Sequence, residues 1–518
     1  MDNLEKIMAL EGKESFSILK NKYLNYIKEN PFSSKAYNLL ALLILKYEKN
    51  LESALEFLSK SISLNEKNLE ALNNRAIIYL YKNNLDEALN DLDHCIKLDK
   101  NNSNSYNNRG VIKRRQKRIN EAIEDFSKAL QIDPNFHDCL YNRGTAYLKI
   151  LDFKKSFKDL NYLIYINKNY PNAYLALGNV YRKLNDLSSA MTNYNKAIEF
   201  PLTKNTAQLN KATLLLLKGN FNEGLNLYET RFKTIFKNSH NPGDFEKLWS
   251  GKENLHKKKI LIRSEQGLGD TIQFSRYIDK FKDLNCDVIF EVQKNLVSLL
   301  KGISGAKEVV ENLSYKGKYD YFCPLLSLPK VFNTDLTNIP TKKSYINFSN
   351  KEKISSKWPK ILGLKKKPRI GLCWSCNPKA VDSYYKSMSL KDFASELNQD
   401  YEWISLQIEY HDDEKSKLEK FNIKDLSGYQ TDFEDTALLI LEMDLVISID
   451  TSIVHCSASL GKKTILLLPY VPDWRWFREG SKSPWYTELT LVRKNFNSSW
   501  AEVFKESQKL AENIVNLK

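Results

Sequence analysis

From Lys35 onward, apolar and small residues recur in blocks of 34, beginning at Lys35, Leu69, Ser103, His137, Pro171 and Asn205. In the block SNSYNNRGVIKRRQKRINEAIEDFSKALQIDPNF, Gly110, Ala122, Phe126, Ala129 and Pro134 fall at positions 8, 20, 24, 27 and 32. Ala76, Gly144, Gly178 and Ala212 hold position 8 elsewhere, and Ala54, Ala88, Ala190 and Gly224 hold position 20. Each block predicts two antiparallel helices that approach closely at the small residues, with aromatics filling the gaps. Residues 1–34 read as a degenerate capping helix pair, and the array runs over 35–236.

The pattern changes after that. Residues 237–258, including NSHNPGDFEKLWSG, read as a turn-rich linker. Short apolar runs then alternate with helical stretches. ILIRS (260–264), CDVIFEV (286–292) and YDYFCPL (319–325) predict strands of a first half over 259–345. A basic linker, 346–368, precedes a second half over 369–518, with strands at 369–375, 403–407, 445–449 and 464–468. Two Rossmann-like halves with a cleft between them suggest the GT-B arrangement.

The chain is 518 residues long with 42% hydrophobic residues, enough for two or three packed domains. Its net charge of +15 raises nucleic acid or an anionic membrane as partners. A solvated Lys-rich surface explains it as well, and no nucleic-acid-binding motif is present, so no nucleic acid is expected. The scattered cysteines, seven in number, fit reduced thiols of a cytoplasmic protein. Cys373 and Cys376 form a CxxC without a second ligand pair, which argues against a metal site. The N-terminus lacks the pattern of a signal peptide, and no apolar run reaches membrane-spanning length.

Two segments carry candidate chemistry. The first, DLVISIDTSIVHCSASLGKKTILLLPYVPDWRW (444–476), reads as strand, helix start, helix, strand. A helix N-terminus at the carboxyl end of a parallel strand favours a phosphate. Asp450 reads as the N-cap, Thr451 and Ser452 as the first turn, Gly461 as the stop, and His455 as a further donor to the anion. The plainer alternative is a cap and a satisfied, half-buried histidine. The second, RSEQGLGDTIQFSRY (263–277), sets Gly267 and Gly269 between a strand and a helix. It is neither a dinucleotide fingerprint nor a P-loop. Asp270 there is either a proton acceptor for a hydroxyl or only a helix cap. Gln407, at the end of WISLQ, points to the same cleft, and Trp474, Trp476 and Trp485 either stack on a ligand or pack the halves together. In the blocks, Asn74, Asn108 and Asn142 recur at position 6 beside Arg75, Arg109 and Arg143. That ladder either hydrogen-bonds an extended peptide or makes bonds between repeats.

The blocks resemble the tetratricopeptide repeat. The Gly-Asp after the first strand, joined to IDTSIVH, resembles the heptosyltransferase-type glycosyltransferases of family 9. With the PYVPDWRW…SPWY ending, the whole chain is similar to bacterial repeat proteins carrying such a domain. The resemblance implies an inverting, metal-independent enzyme with no cofactor beyond its nucleotide-sugar donor. Asp270 then matches the general base, and Asp450, Thr451, Ser452 and His455 match the segment that cradles the donor diphosphate. Lys386, in NPKAVDSYYKS with Asp382 nearby, matches a phosphate-contacting basic residue. Lys386 stands where relatives carry Arg, Ala380 or Val381 where they carry His, and Ser452 where heptosyltransferases carry Gly. The expected partners are the donor and a protein or glycan acceptor held by the repeats. The alternative function is an interaction scaffold with a degenerate, inactive transferase domain.

Overall fold

The computed structural model describes residues 3–234, 242–348, 357–377, 383–410 and 414–516. The chain forms two compact units, Met1–Thr203 and Lys204–Lys518.

The first unit is a helical array. It contains α1 (Asn3–Met8), α2 (Phe16–Glu29), α3 (Ser34–Tyr47), α4 (Leu51–Leu64), α5 (Leu69–Lys82) and α6 (Leu85–Leu98). The pattern continues through α7 (Ser103–Arg115), α8 (Ile119–Ile132), α9 (His137–Lys149), α10 (Phe153–Ile166), α11 (Pro171–Lys183) and α12 (Leu187–Ile198). Asparagine side chains start several of these helices. Asn68 accepts from the Ala71 N–H at 3.1 Å and Asn102 from the Ser105 N–H at 2.9 Å. Position 8 is small because position 24 of the same block packs against it. A Cβ on Gly110 would lie 2.6 Å from Phe126, and one on Gly178 would lie 2.4 Å from Tyr194. Phe126 and Tyr194 are fully buried.

The sixth block forms α13 (Lys204–Leu217) and α14 (Phe221–Tyr228), and this pair packs within the second unit. Phe221 meets Trp474 and Trp485 there, at centroid distances of 6.4 and 6.1 Å. The segment expected as a linker is also built in. Trp249 is buried, and Asp244 pairs with the buried Arg263.

Two all-parallel sheets make up the rest. The first contains β1 (Lys259–Arg263), β2 (Asp287–Val292), β3 (Glu308–Glu311) and β4 (Tyr321–Pro324) in the order β3-β2-β1-β4. The second contains β5 (Arg369–Cys373), β6 (Glu402–Ser405), β7 (Ile423–Asp425), β8 (Leu445–Ile449), β9 (Thr464–Leu468) and β10 (Leu489–Arg493). Its order is β10-β9-β8-β5-β6-β7. Three strands went unpredicted: β3, β7 and β10. All three are edge strands, and an edge strand has no need of the continuous apolar run that marks a central one. Among the helices, α15 (Leu268–Phe274) follows β1, α16 (Phe433–Leu441) precedes β8, α17 (Ser452–Ser459) follows β8, and α18 (Trp500–Asn516) closes the described chain. The second sheet's core joins Leu372, Trp403, Ile447, Ile465 and Phe504. Among the described residues, no helix is long and apolar enough to cross a membrane.

Candidate functional site

The two chemistry-bearing segments meet where α15 packs on α17. Gly269 makes this possible: a Cβ there would lie 2.7 Å from His455 Cδ2 and 3.4 Å from Ser452 Cα. A side chain at 269 would push the first turn of α17 away.

Asp270 occupies the first turn of α15, and Gly267 caps it. Its Oδ2 accepts the Gly267 N–H at 3.0 Å, and its Oδ1 pairs with the Arg475 guanidinium. Burial raises its pKa, opposed by Arg475 and aided by the nearby Asp473 charge. Arg475 also binds Asp473 at 2.5 Å and lies over the Trp474 ring, 4.9 Å from its centroid.

On α17, Thr451 is the N-cap rather than Asp450, its hydroxyl accepting from the Ile453 N–H at 3.3 Å. Ser452 opens the helix. Gly461 supplies the expected stop at φ +74°, and the Lys462 N–H reaches back to the Ser457 carbonyl at 3.1 Å. Freed from capping, Asp450 accepts the Lys386 ammonium at 2.8 Å. Burial opposes ionisation of Asp450, but Lys386 outweighs it and holds the pKa at about 2. His455 is buried, bonds the Tyr486 hydroxyl through Nδ1 at 2.9 Å, and stacks on Trp476 at 5.2 Å. Its Nε2 stands 4.0 Å from Asp450 Oδ1. Desolvation pushes its pKa down to about 3, so the ring is neutral.

Other expectations fare differently. Gln407 is buried and its amide is fully used. Its Oε1 accepts from the Trp374 and Ser375 N–H groups at 2.8 and 2.7 Å, and its Nε2 donates to Ser375 Oγ and the Glu409 carbonyl. It therefore shapes the loop after β5 instead of offering a polar group to a cleft. Asp382 lies outside the described residues. Trp474, Trp476 and Trp485 are buried packing groups.

The asparagine ladder bonds between repeats. Asn74 donates to Asn38 at 3.0 Å, Asn108 to Asn73 at 3.3 Å and Asn142 to Asn107 at 3.0 Å. The arginines beside it are also satisfied internally. Arg75, Arg109 and Arg143 grip Asp91, Asp125 and Asp159, each 16 residues on, through both Nε and Nη2.

Sequence reasoning missed Arg475, Tyr486 and Arg276. Arg276 is buried without a carboxylate partner among the described residues, held by the Gln273, Pro340 and Trp485 carbonyls and by Tyr345 Oη. The basic residue inside an aromatic cluster, as in DWRW, was the available signal for Arg475.

Models of the tetratricopeptide repeat match residues 34–68, 69–102, 103–136 and 171–201. The chain is similar to Protein FlbA of Caulobacter vibrioides, 22% identical over 321 residues, 54% of this chain and 51% of that protein. It thus spans about half the length of this curated relative. Among solved structures it is similar to YrrB, a TPR protein with an unusual peptide-binding site: 22% identity, 35% of this chain, 92% of that one, TM-score 0.29. It is also similar to pilF of Pseudomonas aeruginosa: 19% identity, 40% of this chain, 93% of that one, TM-score 0.36. The N-terminal part of the chain is therefore a solenoid of tetratricopeptide repeats, followed by a region of parallel sheets.

Proposed function

We propose that the chain is an inverting, metal-independent glycosyltransferase of GT-B type. It transfers a sugar from a nucleotide-sugar to a protein or glycan acceptor recruited by its repeats. The observation that supports this most is the contact of the two motifs at Gly269 and His455, which sets Asp270 near the start of α17. In this reading Asp270 takes the proton of an acceptor hydroxyl as its oxygen attacks the anomeric carbon. The bond from that carbon to the diphosphate breaks in the same displacement. The α17 N–H groups and Lys386 balance the charge gained by the leaving group. The raised proton affinity of Asp270 suits a base. A cytoplasmic location follows from the donor that the reading requires.

The test is a panel of nucleotide-sugars, scored by thermal shift and nucleotide diphosphate release. One donor that stabilises both wild type and Asp270→Asn, but is turned over only by wild type, supports the reading. Release by both proteins at equal rates rejects the base assignment.

A second reading, a repeat scaffold with an inactive sheet region, draws on one observation. Asp270 and Lys386 are both occupied by ion pairs within the chain, to Arg475 and Asp450. Specific peptide capture with no stabilisation by any donor would favour it.

A further inference from the structure

A cavity of about 220 Å³ opens beside Arg276, in the segment directly after α15. Its charged lining is Arg276, Lys280, Lys282 and Lys342 against the single carboxylate of Asp279. Asp279 is already shared between Lys282 at 3.1 Å, Lys342 and the Ser304 hydroxyl. Arg276 and Lys280 have no carboxylate partner among the described residues. Arg276 is 4% exposed and is held by carbonyls, the Tyr345 hydroxyl and the faces of Tyr486 and Tyr345, at 4.4 and 4.8 Å. Lys280 lies over Phe332 at 5.3 Å. A buried guanidinium without a counter-charge is costly to a folded chain, and the field it leaves is open to an anion. Ile303, Pro340 and Tyr345 supply apolar wall, so the space suits more than a bare ion. The volume falls below the 300–1,000 Å³ or so of sites for drug-sized ligands, which excludes a whole nucleotide-sugar.

We propose that this cavity binds a phosphate monoester of monosaccharide size, its phosphate on the cationic rim and its sugar against Tyr345 and Pro340. Asp270, Lys386, Asp450 and His455 do not line this cavity, and the proposal is independent of the transferase reading.

The test is calorimetric titration of the full chain with glucose 6-phosphate and, separately, inorganic phosphate. Wild type should bind the sugar phosphate more tightly than inorganic phosphate. Lys280→Glu with Lys342→Glu should weaken it at least tenfold, and the milder Lys280→Gln about threefold, whether or not the double variant folds fully. Lys386→Ala should leave the affinity unchanged. No binding by wild type, equal affinity in Lys280→Gln, or inorganic phosphate binding as tightly would overturn the proposal. So would loss of binding in Lys386→Ala, since the occupant would then sit beside the Lys386–Asp450 pair instead.

Discussion

Asp270 and Arg475 stand 205 residues apart in the chain and form an ion pair beside the contact of α15 with α17. The pair explains how a carboxylate with a raised pKa stays in place: its partner fixes its direction while burial raises its proton affinity.

Asp270→Asn keeps the size of the group and its bond from the Gly267 N–H. In the proposed transferase reading it should lower kcat for diphosphate release by about 10²–10⁴-fold while donor-induced thermal stabilisation persists. A variant turning over like wild type would remove Asp270 from the chemistry.

The neutral His455 makes stability depend on pH. Its folded pKa of about 3 lies below its ordinary 6.5, so unfolding takes up a proton between those values. Stability is full above 6.5 and falls as pH drops, by about 1.4 kcal/mol per pH unit for this group. Asp450, held at about 2, adds its own loss only below about pH 4. Urea unfolding at pH 7, 6 and 5 should therefore show a slope that His455→Gln reduces. Identical slopes in the two proteins would mean that the imidazole is not buried neutral.

Gly269→Ala places a methyl 2.7 Å from His455 Cδ2, with backbone at 3.4 Å behind it. We expect a loss of about 1–3 kcal/mol in urea unfolding, since the crowded groups are held by Tyr486 and Trp476. Gly267→Ala, whose Cβ would meet only Asp270 Oδ2 at 3.3 Å, should cost less. The reverse ranking would contradict the packing.

In the array, Asp125 takes Arg109 at 2.6 and 2.9 Å and Lys113 at 2.8 Å, and it is nearly buried. Asp125→Ala leaves Lys113 without its carboxylate and Arg109 with only the exposed Asp93, and should cost about 3 kcal/mol. Asp93→Ala removes the exposed partner of the same arginine and should cost less than about 1 kcal/mol. Denaturant titration of the two variants gives the comparison directly.

What was legible in the sequence was local or periodic. Gly110 and Phe126 announce the helix pair because their spacing repeats, and β8 and α17 announce themselves through an apolar run ended by a cap. The cap itself was misassigned by one residue. Asp450 and Thr451 are both good caps, and Asp450 is instead paired with Lys386, 64 residues away. The asparagine ladder had two readings because position 6 says nothing of its neighbour; Asn73 and Asn107 on the adjoining blocks decide it. Arg276 and Tyr486 were out of reach for the same reason. Their partners come from distant elements, and spacing carries no record of such pairings.

The placement of α13 and α14 has a consequence for where this chain can be cut. The repeat motif and the folded body are out of phase by one block: the last motif in the series is part of the sheet region's interior, with Phe221 seated among Trp474 and Trp485. A duplication or deletion of earlier blocks changes the length of the array alone. The block at Asn205 has no such liberty, and severing the chain after it would strip the aromatic cluster of one wall.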